Sequence, residues 1–219
     1  MSHASPTSRV RTTRKPKQAS YDVETINSIL DDALVAHVAF VRDGHPVVIP
    51  TLQARDGDRL YLHGSSAGQM LRDIAGGIEV CIAVTLLDGL VLARSAFEQN
   101  VNYRSVVLYG VANVIDDPDE KLAALRALTN QLIPERWDQC RHPSRQELKG
   151  TTIMWLAIAE ASAKIRTGGP TENPDDIGLP FWAGELPRRV VWGPPQPEPD
   201  LTDSPPVPPA VLAYARQGS

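Results

Sequence analysis

The sequence of 219 residues is poor in cysteine and in long apolar runs. Its two cysteines cannot form the disulfide framework of a small secreted domain, and we read Cys81 and Cys140 as unpaired thiols. No apolar stretch reaches the roughly 20 residues that cross a bilayer, and the N-terminus lacks the apolar segment of a secretory signal. We therefore expect a cytoplasmic protein with no membrane partner.

The chain also lacks an excess of positive charge. Its formal net charge is −4, which argues against general binding of nucleic acid. Cations are concentrated near the N-terminus, at Arg9, Arg11, Arg14, Lys15 and Lys17. This basic arm is either a flexible segment or a source of one cation that reaches a ligand phosphate, for instance on a partner subunit.

Familiar catalytic and metal-binding motifs are missing as well. No HxxxH or HxH pair is present, so we assign no metal site, and Ser65 lacks the G-x-S-x-G frame of an activated nucleophile. The sequence therefore assigns no catalytic residue.

What the sequence does contain is enough apolar content for one globular core, at 42% hydrophobic and 22% charged residues. We expect a basic flexible arm over residues 1–18, one domain over 19–186 and a proline-rich tail over 187–219. Nine of the nineteen prolines fall between Pro187 and Pro209. Such a tail is expected to be extended, and it either lies along a neighbouring surface or is free.

The hydrophobic pattern predicts a mainly β fold with peripheral helices. Asp22 is the expected N-cap of a helix that runs to Ala33, and three Asp-Gly pairs predict hairpin turns, at residues 43–44, 56–57 and 88–89. Further helices are expected at 66–75 and 119–133. Strands are expected at 34–42, 45–55, 59–63, 78–86, 90–95, 104–115 and 151–167. Six or seven antiparallel strands predict closure into a barrel, which removes exposed sheet edges.

The segment YLHGSSAGQM, from Tyr61 to Met70, is the most informative local motif. It predicts a strand, a turn of small residues and a helix start, where backbone N–H groups and the hydroxyls of Ser65 and Ser66 can hold an anion. The alternative is an ordinary strand-to-helix connection.

Four segments in order carry a resemblance to a known family. They are VIPT (48–51), YLHGSSAGQM (61–70), NYRSVVLYGVA (102–112) and KIRTGGPTENPDDIGLPFWAGELP (164–187). Together they resemble the pyridoxamine 5′-phosphate oxidase-like, FMN-binding split-barrel superfamily. Within it, the chain is most similar to the nitroimidazole-reductase-like branch of flavin-nucleotide-binding proteins.

This resemblance implies a six-stranded antiparallel split barrel that forms a homodimer, with two FMN sites across the subunit interface. The strand at residues 48–51 is implied to run under the isoalloxazine, the segment at 63–70 to take the phosphate, and the strand starting near Tyr103 to approach the ring from the other chain. Trp182 is either a buried plug of the barrel or a neighbour of the flavin, and Arg166 pairs either with a phosphate or with a nearby acid such as Glu172. The residues assigned to the cofactor are Val48, Ile49, Pro50, Thr51, His63, Gly64, Ser65, Ser66, Gln69, Met70, Tyr103, Ser105, Arg166 and Trp182.

The chain also departs from the family pattern at two places. Where the oxidases place an Arg-Lys pair on the phosphate, this chain has Ala67, Gly68 and Gln69, with Arg72 the nearest cation. The substrate-gripping Arg-x-His of the oxidases is absent after Pro187. Oxidation of pyridoxamine phosphate is therefore not expected.

Three functions remain as hypotheses. The first is an FMN-dependent oxidoreductase that moves hydride or electrons between a reduced nicotinamide and a small-molecule substrate, because a flavin itself supplies this chemistry. The second is a flavin or haem storage or redox-sensing protein, with His37 or His63 as the haem ligand, although a buried, hydrogen-bonded histidine is the simpler interpretation of His37. The third is a deazaflavin-dependent reductase. The alternative cofactors to FMN are accordingly FAD, deazaflavin and haem.

Overall fold

The computed structural model describes residues 7–11, 15–201 and 205–216, so Arg14 of the basic arm lies outside the described residues. Its helices are α1 (Val23–Asp32), α2 (Gln69–Ala75), α3 (Pro118–Leu132), α4 (Arg145–Gly150) and α5 (Pro209–Arg216). Its strands are β1 (Ala19–Ser20), β2 (Val35–Arg42), β3 (His45–Asp56), β4 (Arg59–Ser65), β5 (Glu79–Leu92), β6 (Asn100–Val111), β7 (Asn113–Val114), β8 (Thr151–Ala157), β9 (Glu160–Arg166) and β10 (Gly184–Pro187).

All strand pairs are antiparallel, and the strands form one sheet in the order β1-β9-β6-β5-β2-β3-β4-β8-β7, with β10 added to β5. The mainly β class with peripheral helices is thus confirmed. The described strands number ten rather than six or seven, and the sheet is not closed, because β1 and β7 at its two ends do not pair with each other. The prediction of a closed barrel was therefore wrong.

Alternation along the strands creates one inner face and one outer face. Inner-face side chains such as Val38, Ile82 and Leu108 are fully buried and pack with α1 through Ile29 and Leu30. Burial of such apolar area is the main source of stability in a domain of this size. A second, smaller cluster lies under α3, around Leu128 and Ile153.

Several predictions from local sequence signals are confirmed. Asp22 caps α1 by accepting a hydrogen bond from the backbone N–H of Thr25 at 2.8 Å. Gly44 and Gly57 have φ values of 78° and 58°, as hairpin turns at Asp-Gly pairs require. The predicted bounds of α1 and α3 agree with the structure to within a residue or two.

The hairpin predicted at Asp88-Gly89 was wrong. These residues lie inside the continuous strand β5, which contains only a register shift between Leu87 and Gly89. A Cβ on Gly89 would lie 2.9 Å from the carbonyl oxygen of Leu186 in β10. The glycine therefore permits the close approach of β10, a long-range contact that a local turn signal does not reveal.

The C-terminal third differs from the sequence prediction in two further ways. Residues 151–167 form the two strands β8 and β9, joined by a tight turn, rather than one strand. In the described residues, the segment after Pro187 has no regular structure up to Leu201, as its prolines predict. Helix α5 follows, and the centroid of its Tyr214 ring lies 5.5 Å from the centroid of the Trp192 ring.

Candidate cofactor-binding site

The sheet opens between β3 and β4, and this opening contains the strand that the resemblance assigns to a cofactor ring. Strand β3 pairs with β2 over residues 45–52, but with β4 only over residues 53–56. In the described part of the chain, no strand therefore pairs with the β4-facing edge of Val48–Thr51. This edge presents free backbone donors and acceptors, which suit a heterocycle that carries both.

The four residues of this strand segment divide between the two faces. Val48 and Pro50 point to the outer face, and the Val48 side chain is 60% exposed. Ile49 points inward and packs against the main core. Beside Val48, an open cleft of about 590 Å³ extends across β2 towards β5 and β6, and it is lined mainly by apolar side chains, among them Ala39, Val41 and Tyr109.

The predicted strand, turn and helix at Tyr61 to Met70 are present. Strand β4 ends at Ser65, and α2 begins at Gln69 after the N-cap Gly68, which provides no side-chain cap. A Cβ on Gly64 would lie 2.9 Å from Cδ1 of the buried Leu71, so glycine here allows α2 to pack closely on β4. Met70 lies partly buried against the core.

We call residues 64–68 the serine turn, and most of its backbone donors are already used. The N–H of Ser66 donates to the Gly150 carbonyl at 2.9 Å, and the N–H of Gly68 donates to the Ser65 carbonyl at 2.7 Å. The N–H of Ala67 donates to Ser65 Oγ at 3.2 Å. The Ser66 hydroxyl has no partner among the described residues. The serine turn thus leaves that hydroxyl and the first N–H groups of α2 for a ligand.

The nearest cation, Arg72, does not face the serine turn as a free charge. Its Nη2 donates to Gln69 Oε1 at 2.7 Å, and Gln69 Nε2 donates to Asp73 Oδ1 at 2.7 Å. Asp73 also forms an ion pair with Arg42. Arg72 and Gln69 therefore belong to a surface network along α2.

His63 lies at the end of β4, directly before the serine turn. Its side chain is partly buried, and its buried Nδ1 has no hydrogen-bond partner among the described residues. Burial lowers the pKa of His63 below its ordinary value. The imidazole is therefore held neutral at neutral pH, which is the form that binds a metal or accepts a hydrogen bond.

The simpler interpretation of His37 was wrong. Its side chain is exposed on the outer face, beside Pro50 of β3 and Ala83 of β5, which are its cross-strand partners. The alternation of strand β2 is as predicted, but the face that carries His37 is not covered by any described element of this chain.

Three predicted residues from distant parts of the sequence meet on the outer face at the far side of the sheet. Tyr103 lies directly opposite Arg166, and Ser105 lies directly opposite Lys164, in the pairing of β6 with β9. Side chains of directly paired residues share a face, so all four lie together. Lys164 was not among the predicted site residues, although period-two alternation with Arg166 is a signal that could have identified it.

Trp182 is neither buried nor a plug of the sheet. Its side chain is 67% exposed in the loop before β10, and its ring lies close over Gly184, where a Cβ would be 3.0 Å from ring carbons. Glu172, one of the acids considered for Arg166, pairs with Arg94 instead. In the described residues no group of three or more potential metal ligands is found. No helix among them is long and apolar enough to cross a membrane.

The comparisons with known proteins identify the family. The sequence profile described as pyridoxamine 5′-phosphate oxidase matches residues 22–165. The chain belongs to the pyridoxamine 5′-phosphate oxidase-like family. The resemblance found in the four sequence segments is thus confirmed. No curated protein matches the sequence.

Two solved members of this family are similar over almost the whole chain. The flavocytochrome Anf3 from Azotobacter vinelandii is 42% identical, with a TM-score of 0.90 over 95% of this chain and 97% of that one. A FAD and haem binding protein from Mycobacterium smegmatis is 40% identical, with a TM-score of 0.86 over 90% of this chain and 97% of that one.

A third solved structure is more distant. Its protein is described as a candidate 5-nitroimidazole antibiotic resistance protein from Bacteroides thetaiotaomicron, and it is 22% identical with a TM-score of 0.58. The match covers 67% of this chain and 86% of that one, and it supports the fold alone.

Proposed function

We propose that this protein is a flavocytochrome-type redox protein that binds a flavin nucleotide and a haem. The observation that carries the proposal is its similarity, at 42% and 40% identity over at least 90% of the chain, to two proteins described as a flavocytochrome and as a FAD and haem binding protein. Alignments of this coverage must extend through most of the segment after Arg166, beyond the part that the family profile matches.

The proposed place for the flavin ring is the opening between β3 and β4. The unpaired edge of Val48–Thr51 offers backbone N–H and C=O groups to the polar edge of a ring, and the apolar cleft beside Val48 offers a surface for its aromatic part. The family resemblance suggests FMN. Because the relative from Mycobacterium smegmatis is described as binding FAD, FAD is the first candidate for the nucleotide here.

His63 is the residue that we propose would hold the haem iron. An imidazole must be neutral to bind a metal, and burial lowers the pKa of His63, which favours the neutral form. Among the described residues, the buried Nδ1 of His63 has no hydrogen-bond partner. Buried polar atoms are usually satisfied, so this nitrogen is expected to gain a partner when a further group binds. The exposed His37 is the second candidate.

When bound, the two cofactors would supply transfer of electrons from a donor such as a reduced nicotinamide to a small-molecule acceptor. The residues of this chain would then bind and orient the rings. His63 would present a neutral nitrogen, and the apolar side chains of the cleft would exclude water from the ring.

A second copy of this chain is the proposed partner, with the cofactor sites at the subunit interface. The outer face carries Val35, Val41 and Val48 with exposed fractions of 50%, 61% and 60%. Exposed apolar side chains on one face of a sheet are typical of surfaces that pack against another protein. Sedimentation analysis of the wild type and of Val48→Glu tests this part: a dimer that the substitution weakens supports it, and a wild-type monomer contradicts it.

The cofactor proposal is tested on the purified full-length protein. Acid release followed by mass spectrometry identifies a flavin, and the pyridine haemochrome assay measures haem. We expect both in near-stoichiometric amounts, with haem lost in His63→Ala and retained in His142→Ala. A protein that neither contains nor takes up flavin and haem would contradict the proposal.

A further inference from the structure

A small pocket lies on the outer face where β6, β9 and the N-terminal segment meet. It is lined by Lys15, Gln18, Asn100, Tyr103, Lys164 and Arg166, and its volume is about 160 Å³. We call it the cationic pocket. Pockets that enclose a whole drug-sized ligand usually have about 300–1,000 Å³. The cationic pocket is therefore too small for a flavin or porphyrin ring, and it suits one small group.

All the charged side chains that line this pocket are positive. Three of its six side chains are cations, and the other three are neutral and polar. Within the described ranges of the chain, none of the three cations forms an ion pair with a carboxylate. Other arginines nearby do so, such as Arg9 with Glu160 and Arg104 with Asp88. The pocket thus holds a concentration of positive charge that no described side chain neutralises directly.

Arg166 fixes the shape of the pocket. It is only 7% exposed, and its Nη1 donates to Asn102 Oδ1 and to the Gly168 carbonyl, while its Nη2 donates to the Gly169 carbonyl at 2.9 Å. All three acceptors are neutral. Among the described hydrogen bonds, the carboxylate of Glu185 reaches this network only through Asn102, whose Nδ2 donates to it at 2.7 Å.

Such a buried guanidinium is costly without an opposite charge, because desolvation disfavours an uncompensated ion. Lys164 adds a second charge on the same face of β9, and Lys15 adds a third from the segment that packs beside it. Arginine and lysine together in a small polar pocket are the usual recognition set for phosphate and carboxylate oxygens.

We propose that the cationic pocket binds the oxyanion group of an acidic ligand. Within the proposed function, on which this inference rests, that group is a phosphate of the flavin nucleotide or a propionate of the haem. The two sources share the same chemistry, namely a small anion with two or more oxygens. The basic arm thereby gains a role, since Lys15 belongs to it.

The test removes two charges without touching the buried arginine. The variant Lys15→Gln with Lys164→Gln keeps a long polar side chain at each position and loses two cations from the pocket. The matched control is Lys17→Gln with Lys149→Gln, two exposed lysines outside the pocket, which changes net charge equally. Full-length apoprotein of each variant is titrated with FAD, FMN and riboflavin, and separately with haem and its dimethyl ester.

If the pocket binds the flavin phosphate, the pocket variant loses about tenfold or more in affinity for FAD or FMN and little for riboflavin. If it binds the haem propionate, affinity for haem falls by a similar factor and affinity for the dimethyl ester does not. In both cases the control variant stays close to the wild type. Equal affinities of the pocket and control variants for every probe would overturn the inference.

Failure of the proposed function gives a different result. If the wild type binds neither flavin nor haem, inorganic phosphate becomes the probe, and its effect on the melting temperature is measured in the same variants. A stabilisation that the pocket variant loses and the control keeps would support the pocket as an oxyanion site. No stabilisation of the wild type would overturn it.

Discussion

The serine turn and the cationic pocket are two places in the described part of this molecule that suit an anion, and they differ in how they are built. The serine turn is contiguous in sequence, but its N–H groups at Ser66, Ala67 and Gly68 donate within the protein. The cationic pocket is assembled from residues 15–18, 100–103 and 164–166, and it contains three cations without ionic partners in the described chain. A motif that looks like a phosphate cradle can thus be mainly structural, while strand pairing creates a charged site that no local motif shows.

The largest expected effect concerns the buried guanidinium that shapes the cationic pocket. Arg166→Met removes three hydrogen bonds and leaves the Asn102 and glycine carbonyl oxygens without their donor. We expect the free energy of unfolding to fall by about 2–4 kcal/mol. Lys164→Gln, on the same strand, should change it by less than about 0.5 kcal/mol. Denaturant unfolding measures both, and similar losses in the two variants would contradict this view of Arg166.

The next effect concerns the backbone of the serine turn. A Cβ at Gly68 would lie 2.9 Å from the Ser65 carbonyl oxygen, which the turn itself uses as an acceptor. Gly68→Ala should therefore cost about 1–3 kcal/mol of unfolding free energy. Gly150→Ala is the control, because nothing lies within 4 Å of its added methyl group. A Gly68→Ala variant as stable as the control would show that the turn is looser than described.

A smaller effect is expected for the hydroxyls of the serine turn. Ser65 Oγ already accepts a hydrogen bond from the Ala67 N–H, which restrains this hydroxyl, whereas the Ser66 hydroxyl has no partner among the described residues. Ser65→Ala with Ser66→Ala should weaken flavin binding by about threefold to tenfold, the value of one hydrogen bond. Fluorescence titration with FAD measures this. Unchanged affinity would show that the serine turn is not part of the flavin site. A much larger loss would show that the serine turn contributes more to flavin binding than the cationic pocket does.

The smallest effect is the pH dependence that His63 introduces beside the serine turn. Burial lowers its pKa in the folded state, so the unfolded chain binds the proton more tightly. Stability should therefore fall as the pH drops below about 6.5, the ordinary pKa of histidine, and through the lowered folded value. Unfolding curves of wild type and His63→Gln at a series of pH values test this. Parallel profiles would contradict a buried, neutral His63.

Local signals predicted the first half of the fold well. The cap at Asp22 and the turns at Gly44 and Gly57 depend on neighbouring residues, which the sequence displays directly. The path of β5 through Gly89 could not be predicted in this way, because it depends on β10, almost a hundred residues away. The open ends of the sheet likewise depend on which strands meet, and this is a tertiary property.

The sequence likewise indicated some parts of the candidate site and not others. The four segments identified the family and assigned Val48–Thr51 to the cofactor ring, and the structure shows this segment at the opening of the sheet. Tyr103, Ser105 and Arg166 were named as cofactor residues, and that role stays a prediction. Lys15 and Lys164 were not named with them, because only the pairing of β6 with β9 and the packing of the N-terminal segment bring these residues together. Exposure was the least predictable property, as His37 and Trp182 both show.

The most direct test of the proposed function is an anaerobic titration of the purified protein with reduced nicotinamide, followed by absorption spectroscopy. We expect that the flavin absorption is bleached and that the haem bands then shift to those of the ferrous form. A protein whose flavin and haem bands both stay unchanged, or whose haem stays ferric beside a fully reduced flavin, would contradict a flavocytochrome-type function.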